Sequence, residues 1–331
     1  IYAYGQTDVA ITGEGTLDGS ANDTTWWPWK GKWKGKFTEV KLTQHAARAR
    51  LMEDAEAGVP PSERHYAEGA YLRPPFVQTY RCRRVLIEGV TIINSPFWLI
   101  HPVLCENVTV RGVTCDSKGP NSDGCDPESC RDVLIEDCVF DTGDDCIAIK
   151  SGRNADGRRV GVPSENIVVA GCEMKAGHGG VVMGSELSGG IRNVFVEHCR
   201  MSSPDLLRGI RIKTNAQRGG GVEHLRVRDV DIGTVRDLLV VNFHYEEGAN
   251  GPHAPLVKDI EIRDLRCASA ERVMDLRGFV HAPIRDVRLV NIDVKRAASP
   301  SRVEYVAEMS FENVNVNGQP VTRAEDLLEQ S

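Results

Sequence analysis

The chain has 331 residues, of which 41% are hydrophobic and 26% charged, and its formal net charge is −7. This composition is sufficient for a large buried core and excludes an intrinsically disordered chain. The basic excess of most nucleic-acid-binding proteins is absent, and no stretch approaches the roughly 20 apolar residues of a membrane-spanning helix. We therefore expect a globular protein with no nucleic-acid partner and no membrane span.

A short repeat of apolar residues runs through the chain. Each copy reads apolar, any, apolar, any, a bend residue (Gly, Asp or Asn in most copies), apolar or Cys, any, apolar. From residue 85 onwards the copies begin 22 to 35 residues apart. Alternation with period 2 is typical of short β-strands, and the bend residues tolerate a turn. The copies lie at residues 85–92, 108–115, 133–140, 167–174, 194–201, 225–232, 260–267, 287–294 and 309–316, with a weaker one at 9–16.

No single copy can bury its apolar face, but a stack of copies can. We therefore predict an all-β fold, a right-handed parallel β-helix solenoid of about ten coils, with residues 1–331 as one domain. A leucine-rich repeat is the alternative solenoid, but it requires a Leu-rich consensus and a fixed period. Neither is present in this sequence.

One segment, residues 26–75, interrupts the repeat and predicts an insertion. It contains four tryptophans, between Trp26 and Trp33, and a helix-like stretch at 38–57 for which Thr38 is a weak candidate cap. Insertions in solenoids often lie on the binding face. The tryptophans either pack against the first coils or stack on a sugar at the edge of a cleft.

The ten cysteines fit the repeat better than a disulfide framework. Three of them share one position of the repeat and two share another, where other copies have Val, Ile, Leu or Met. Because free Cys behaves as a small buried hydrophobe, we predict that these five line the core. Cys125 and Cys130 lie in a loop and could pair. The five core cysteines are Cys138, Cys172 and Cys199 at the first position, and Cys115 and Cys267 at the second.

Polar motifs follow the repeat strands in four successive coils. They lie 11 to 19 residues after the start of their own coil. Because stacked strands are about 4.8 Å apart, the motifs should form a column on one face. The column would contain Asp123, Asp144, Asp145, His178, Arg211 and Lys213.

Three carboxylates held this close cannot all ionise freely, so at least one pKa should rise. A protonated acid beside an ionised base is what glycosidic hydrolysis requires. Arg211 and Lys213 alternate around Ile212 and should face the same way, which suits the carboxylate of an anionic sugar. Each motif alone is common on protein surfaces, but their order and spacing of one per coil favour a site.

The four motifs together resemble the signature of glycoside hydrolase family 28, the polygalacturonases. Residues 11–19 also resemble the early coil of that family, and Tyr245 stands where the family has a substrate-contacting Tyr. The resemblance covers about residues 1–320. The motifs are Asn121-Ser122-Asp123, Gly143-Asp144-Asp145, Gly177-His178-Gly179 and Arg211-Ile212-Lys213.

The resemblance implies hydrolysis of α-1,4-linked galacturonic acid in pectate or oligogalacturonides, with inversion. Asp144 would be the general acid, and Asp123 and Asp145 would position and deprotonate the water. His178 would support the protonation state of the acid. The resemblance implies no metal and no cofactor.

The same resemblance assigns substrate-binding residues. Arg211 and Lys213 would bind the galacturonate carboxylate at the cleavage point, and Asn121 and Tyr245 would contact the substrate. Ser122 replaces the usual Thr and keeps the hydroxyl.

Two further features concern the mode of action and the chain ends. Residues 121–130 and 180–186 resemble the bacterial branch that is often assigned as exo-acting, and the insertion could close one end of the cleft. The family usually has an earlier N-terminal coil and cap, so we expect preceding sequence. No signal peptide is visible in residues 1–4. A secreted or periplasmic location is favoured, with a cytoplasmic one open for an enzyme that trims oligogalacturonides.

Several alternatives remain at this point. Within the hydrolases they are an endo-polygalacturonase or a xylogalacturonan-type hydrolase, whereas the rhamnogalacturonan branch has different motifs. A β-helical pectate lyase would need calcium and would yield an unsaturated product. A non-catalytic carbohydrate-binding β-helix would have no activity to lose when Asp144 is changed.

Overall fold

The computed structural model describes residues 1–329, which form a right-handed parallel β-helix. In the first ladder of strands all ten predicted coil starts occupy one register position. The pairings join Val9, Val85, Val108, Val133, Ile167, Val194, Leu225, Ile260, Val287 and Met309 in that order. The predicted solenoid of ten coils is therefore confirmed.

The first ladder begins with six short strands and continues in four long ones. The short strands are Thr7–Thr12, Arg83–Glu88, Glu106–Arg111, Arg131–Glu136, Ser164–Ala170 and Ile191–Glu197. The long strands Gly221–Asn242, Leu256–Arg277, Ile284–Val294 and Val306–Val316 pass through the bend into the second ladder.

The second ladder follows the bend of each coil. Its separate strands are Thr16–Asp18, Thr91–Ile93, Thr114–Ser117, Val139–Thr142, Glu173–Ala176 and Arg200–Met201. From the second coil onwards the bend residue has a positive φ between 50° and 78°. In this left-handed region Gly, Asn and Asp have the lowest cost, which explains the bend position of the repeat. These residues are Gly89, Gly112, Asp137, Gly171, His198, Asp229, Asp264, Asn291 and Asn313.

The third ladder carries the polar motifs. Its separate strands are Tyr2–Tyr4, Val77–Tyr80, Ile100–Val103, Ile147–Ile149, Val181–Gly184, Arg208–Lys213 and Arg302–Glu304. The ends of the two 22-residue strands complete it. Between Ile100–Val103 and Ile147–Ile149, single bridges at Cys125 and Glu128 continue the ladder. At the last coil Gln319–Val321 pairs antiparallel with Val306–Val316, and the helix Glu325–Leu328 follows.

All ten cysteines are free and buried. Cys115 and Cys267 lie in the second ladder, in register with Phe140 and Val294 respectively, so their predicted place in the core is confirmed. Cys125 and Cys130, which could have paired, are separate thiols with no exposed surface.

The insertion contains the short 3₁₀ helices Trp27–Lys30 and Pro61–Glu63 and the helix α1, His45–Ala57. The predicted start of the long helix at Thr38 is wrong, because α1 begins seven residues later. β-Branched Thr38, Val40 and Thr43 in the preceding stretch lower helix propensity. Helix α1 packs against α2, Asn154–Val160.

The tryptophans of the insertion pack mainly on neighbouring aromatic rings. Trp29 meets Trp26 edge to face at 4.7 Å and Tyr71 at 5.3 Å between ring centroids. Trp26 and Trp29 therefore pack on aromatic rings of the insertion itself. Within residues 1–329 we find no helix with the length and apolar character needed to cross a membrane.

Candidate active site

The third ladder brings the predicted carboxylates together. The backbone N–H of Gly124 donates to the carbonyl of Asp145 at 3.0 Å, which sets Asp123 beside Asp145 in neighbouring coils. One carboxylate oxygen from each of Asp123, Asp144 and Asp145 lies within 4.8 Å of the others. Asp123 and Asp145 are 3% and 0% exposed. The column predicted from the repeat therefore forms a compact cluster. Its two buried members, Asp123 and Asp145, form what we call the floor.

Asp144 and His178 form the accessible part of the cluster. His178 Nδ1 lies 2.9 Å from Asp144 Oδ1, with side chains 36% and 17% exposed. The backbone N–H of His178 also donates to the carbonyl of Asp144 at 3.0 Å. A Cβ at Gly177 would lie 2.4 Å from that carbonyl oxygen, so this close approach requires glycine. A cavity of about 370 Å³ borders His178, so this imidazole can be reached from solvent.

The two predicted cations face the same way and contact the cluster. Lys213 Nζ lies 2.6 Å from Asp145 Oδ2, and an Arg211 terminal nitrogen lies 3.6 Å from Asp145 Oδ1. Ile212 between them has no exposed surface and points into the core. The ring of Tyr245 lies 5.4 Å from the Lys213 ammonium and 5.5 Å from the Arg211 guanidinium. Tyr245 therefore belongs to the same site.

The pKa values of Asp123 and Asp144 shift in opposite directions, and the raised pKa is not that of the residue expected to be the acid. Burial raises the pKa of Asp123 well above its usual range, and the charges of Asp126 and Asp144 raise it further. Burial also acts to raise the pKa of Asp144, but the hydrogen bond and charge of His178 outweigh it, so this pKa is lowered. The carboxyl whose pKa is raised is therefore Asp123, whereas an acid role leads one to expect Asp144.

Asn121 is held by a residue that the sequence did not reveal. Arg73, at the end of the insertion, donates to Asn121 Oδ1 at 2.7 Å and to the carbonyl of Pro120 at 2.7 Å. Asn121 itself has a left-handed backbone with φ 55°. Arg73 therefore positions the loop that carries Asp123. It lies outside every copy of the repeat, so the repeat pattern could not assign it.

A second buried lysine was also missed. Lys150 Nζ lies 3.6 Å from Asp126 Oδ2 and 3.3 Å from Glu186 Oε2, and 4.5 Å from the ring of Trp98. Burial opposes the charge of Lys150, but the charges of Asp126 and Glu186 outweigh it and raise the pKa of this lysine. A usable signal existed, because Ile-Ala-Ile-Lys at 147–150 repeats the pattern Ile-Arg-Ile-Lys at 210–213.

The insertion crosses the outer face of the third ladder, and we call residues 26–75 the bridge. The loops that lead into the third-ladder strands form one side of the ladder, which we call the entry side. Here Trp27 Nε1 donates to the carbonyl of Ser95 at 3.0 Å. The loops that leave those strands form the other side, which we call the exit side. Here Arg64 donates to Asp156 of α2 at 3.0 Å. The Ala155 N–H also donates to Glu56 at 3.2 Å. The bridge is therefore anchored on both sides of the third ladder.

The three carboxylates are close enough to share a cation. The Lys213 ammonium already lies 2.6 Å from Asp145, however, and burial raises the pKa of Asp123. Divalent ions bind deprotonated carboxylates. Both features therefore disfavour a resident divalent ion at this cluster.

Comparison with known proteins gives a consistent result. The family model described as Glycosyl hydrolases family 28 matches residues 63–316. The chain is 43% identical to a hyperthermoactive exopolygalacturonase from Thermotoga maritima, with a TM-score of 0.92 over 96% of this chain and 71% of that one. It is 29% identical to a probable polygalacturonase of Vitis vinifera, over 92% of this chain and 56% of the relative.

An endo-polygalacturonase of Pectobacterium carotovorum subsp. carotovorum is 26% identical over 80% of this chain and 58% of its own length. The chain thus spans between half and three fifths of the length of these curated relatives.

Proposed function

The chain belongs to glycoside hydrolase family 28, and on that basis we propose that it hydrolyses the α-1,4 linkages of polygalacturonate and oligogalacturonides from a chain end. The observation that carries the proposal is the cluster of Asp123, Asp144 and Asp145 with Arg211 and Lys213 beside it. A secreted or periplasmic location would bring such an enzyme to its polymeric substrate.

Arg211 and Lys213, the two cations beside the floor carboxylates, would bind the substrate. Arg211 Nε has no hydrogen-bond partner within the described chain, and the Lys213 ammonium has N–H groups beyond its bond to Asp145. A galacturonate carboxylate placed there would accept charge-assisted hydrogen bonds, which are stronger than neutral ones. The Tyr245 ring beside both cations would limit the position of the sugar. These residues would therefore fix the linkage over Asp144.

Protonation of the leaving oxygen would involve Asp144 and His178 together. In the free protein the contact with His178 lowers the pKa of Asp144, so Asp144 would have to gain a proton before it can act as an acid. A bound sugar excludes water, and desolvation favours the neutral forms of both groups. The proton would then move across the 2.9 Å contact to Asp144. Asp144 can donate it to the glycosidic oxygen as the bond to C1 breaks.

The attacking water would be activated by the two floor carboxylates. Asp145, which is ion-paired with Lys213, would accept a proton from the water. The hydroxide that remains from this water would form the new bond to C1. Asp123, whose raised pKa favours the protonated form, would hold the water through a hydrogen bond. The steps balance, because one water is consumed and one new reducing end forms.

We expect the first product to have the β configuration, which is inversion from an α linkage. Inverting glycosidases usually separate their two carboxyl groups by about 6.5–9.5 Å and retaining ones by about 5 Å, so the spacing within 4.8 Å would by itself favour retention. We propose inversion because two carboxylates hold the water beside the acid. Proton NMR in the first minutes of hydrolysis should show the β anomer, and an initial α anomer would contradict the mechanism.

We expect galacturonic acid or one short oligomer as the sole early product from polygalacturonate. The bridge leaves the first coil and reaches α2, which lies in the coil of Asp144, and a bridge anchored there would close the cleft on the side of the first coils. Chromatography over time should show one product from the start, without a ladder of intermediate sizes.

The same assay separates the other reaction classes. Hydrolysis should continue in the presence of a chelator and produce no ultraviolet absorbance, because no unsaturated sugar forms. An early ladder of oligomers would indicate endo action, and a chelator-sensitive, absorbing product would indicate a lyase.

A further inference from the structure

Three arginines surround one buried carboxylate on the entry side of the third ladder. Asp237 is 2% exposed, and it accepts from Arg236 Nε at 2.9 Å and from Arg272 Nη1 at 3.2 Å. Arg208 Nε lies 3.9 Å from the same carboxylate, beyond hydrogen-bond distance. We call Arg208, Arg236 and Arg272 the arginine cluster. Because every guanidinium stays charged in a protein, one carboxylate cannot balance the three, and positive charge remains for an external anion.

The arginine cluster extends across three neighbouring coils of the third ladder. Strand pairing places Arg208 in register with Asp237, and Asp237 in register with Arg272. Arg208 begins the strand that Lys213 ends. Because stacked strands are about 4.8 Å apart, the cluster runs from the coil of Lys213 towards the later coils. It therefore leads away from α2, where the bridge is anchored.

Arg208 lies directly beside His178. An Arg208 terminal nitrogen donates to the carbonyl of His178 at 3.2 Å, and His178 Nδ1 lies 2.9 Å from Asp144. Within residues 1–329 this is the one hydrogen bond of the Arg208 guanidinium, although the group carries five N–H donors. The cavity of about 370 Å³ that borders His178 is also lined by Pro204 and Leu207, just before Arg208. Arg208 is therefore a cation with unused donors at the edge of the site.

The surroundings of Arg208 favour an anion. Burial and the cations Arg211 and Arg236 lower the pKa of Arg208 to about 10. Asp237 and Asp145 act in the opposite direction but do not outweigh them. A carboxylate bound here would form charge-assisted, bidentate hydrogen bonds, for which the planar guanidinium is suited. Between 17% and 41% of each side chain of the cluster is exposed, so a ligand can reach it.

We propose that the arginine cluster binds the carboxylate of a second galacturonate, next to the sugar held by Arg211 and Lys213 and on the side away from the bridge. This inference rests on the proposed function. Neighbouring sugars of a 1,4-linked chain are turned relative to one another, so their carboxylates point to different sides. Arg208 and Lys213 stand at opposite ends of one strand and supply a cation for each side. The cluster thus extends recognition to an acidic sugar beyond the cleavage point.

The test compares two substrates that differ by one sugar. Digalacturonate, when it is cleaved, spans the cleavage point and has no sugar at the arginine cluster, whereas trigalacturonate has one. In Arg208→Met the ratio of kcat/KM for trigalacturonate to kcat/KM for digalacturonate should fall about 10- to 100-fold, the range for a lost hydrogen bond between charged groups. Any effect that passes through His178 acts on both substrates and cancels in the ratio.

Three further variants check the assignment. Arg285→Met is the matched control, because it removes an exposed arginine of the first ladder, and it should leave the ratio unchanged. Arg236→Met leaves the contact with His178 intact, and Asp237 keeps Arg272 as a partner, so this variant should fold and also lower the ratio. Arg208→Lys should restore part of the ratio, because it keeps the charge but loses the planar fork.

A second comparison identifies the group that Arg208 contacts. Trigalacturonate analogues with galactose at one end or the other lack one terminal carboxylate. In calorimetry on the Asp144→Asn background, Arg208→Met should weaken binding of trigalacturonate. For one of the two analogues this effect should disappear, as a double-mutant cycle requires.

Two results would overturn the inference. One is the same ratio in Arg208→Met as in Arg285→Met. The other is an equal loss of binding on trigalacturonate and on both analogues, because then Arg208 would contact no terminal carboxylate. Failure of the proposed function is distinguishable. The unsubstituted protein would then release no reducing ends from either substrate, while calorimetry would still separate Arg208→Met from Arg285→Met.

Discussion

Replacing Asp144 by Asn should lower kcat on polygalacturonate by about 10²- to 10⁴-fold, the usual contribution of a general acid. The amide keeps the size of the side chain but can neither share a proton with His178 nor donate one to the glycosidic oxygen. The change should act on kcat more than on KM, because Asp144 does not hold the substrate carboxylate. Initial rates of reducing-end formation at several substrate concentrations measure both.

The matched control is Asp116→Asn, which makes the same chemical change at an exposed residue of the second ladder. It should have full activity. Hydrolysis by Asp144→Asn at the rate of this control would remove Asp144 from the reaction. In that event Asp123 would be the alternative acid, because its pKa is the raised one.

Replacing Lys213 by Met should destabilise the protein by about 3–5 kcal/mol, in addition to abolishing tight binding of galacturonate. Asp145 has no exposed surface, and Lys213 is its closest cation at 2.6 Å. Removal of one partner of a buried ion pair leaves an uncompensated charge, which accounts for a cost of this size. Denaturant unfolding followed by circular dichroism gives the free energy.

Two further variants separate this effect from a general loss of a lysine. Lys295→Met breaks an exposed pair with Asp293 and should cost at most about 1 kcal/mol. Adding Asp145→Asn to Lys213→Met should recover much of the stability but none of the activity, because the buried charge is then gone. If Lys213→Met were as stable as Lys295→Met, Asp145 would not carry a charge that depends on Lys213.

The repeat in the sequence was sufficient to place the predicted catalytic side chains. Strands with period 2 and a left-handed bend allow only one register in which Val133 stacks on Val108 and Ile167 on Val133, because a slip of one residue would expose the core face. Once that register is set, a motif that follows each strand must join a column. Asp123 and Asp145 therefore became neighbours without any information beyond the sequence.

The bridge could not be derived in the same way. It has no period, and Arg64 meets Asp156, which is 92 positions further along the chain. The sequence also placed the start of α1 too early, and Arg73 belongs to no pattern. Packing of one long loop against another depends on shape and charge at distant points, which local propensities do not contain.

The sequence by itself determined the fold, the stacking of the coils and the identity of the cluster, because periodicity fixes which side chains share a face. Only the tertiary structure decided which carboxyl has the raised pKa. That choice depends on how deeply Asp123 is buried and on the 2.9 Å contact between His178 and Asp144. It also decided that the bridge crosses the third ladder, because this requires contacts at Ser95 and Asp156 on its two sides. Burial and contact distance are properties of the assembled coils, and no single coil specifies them.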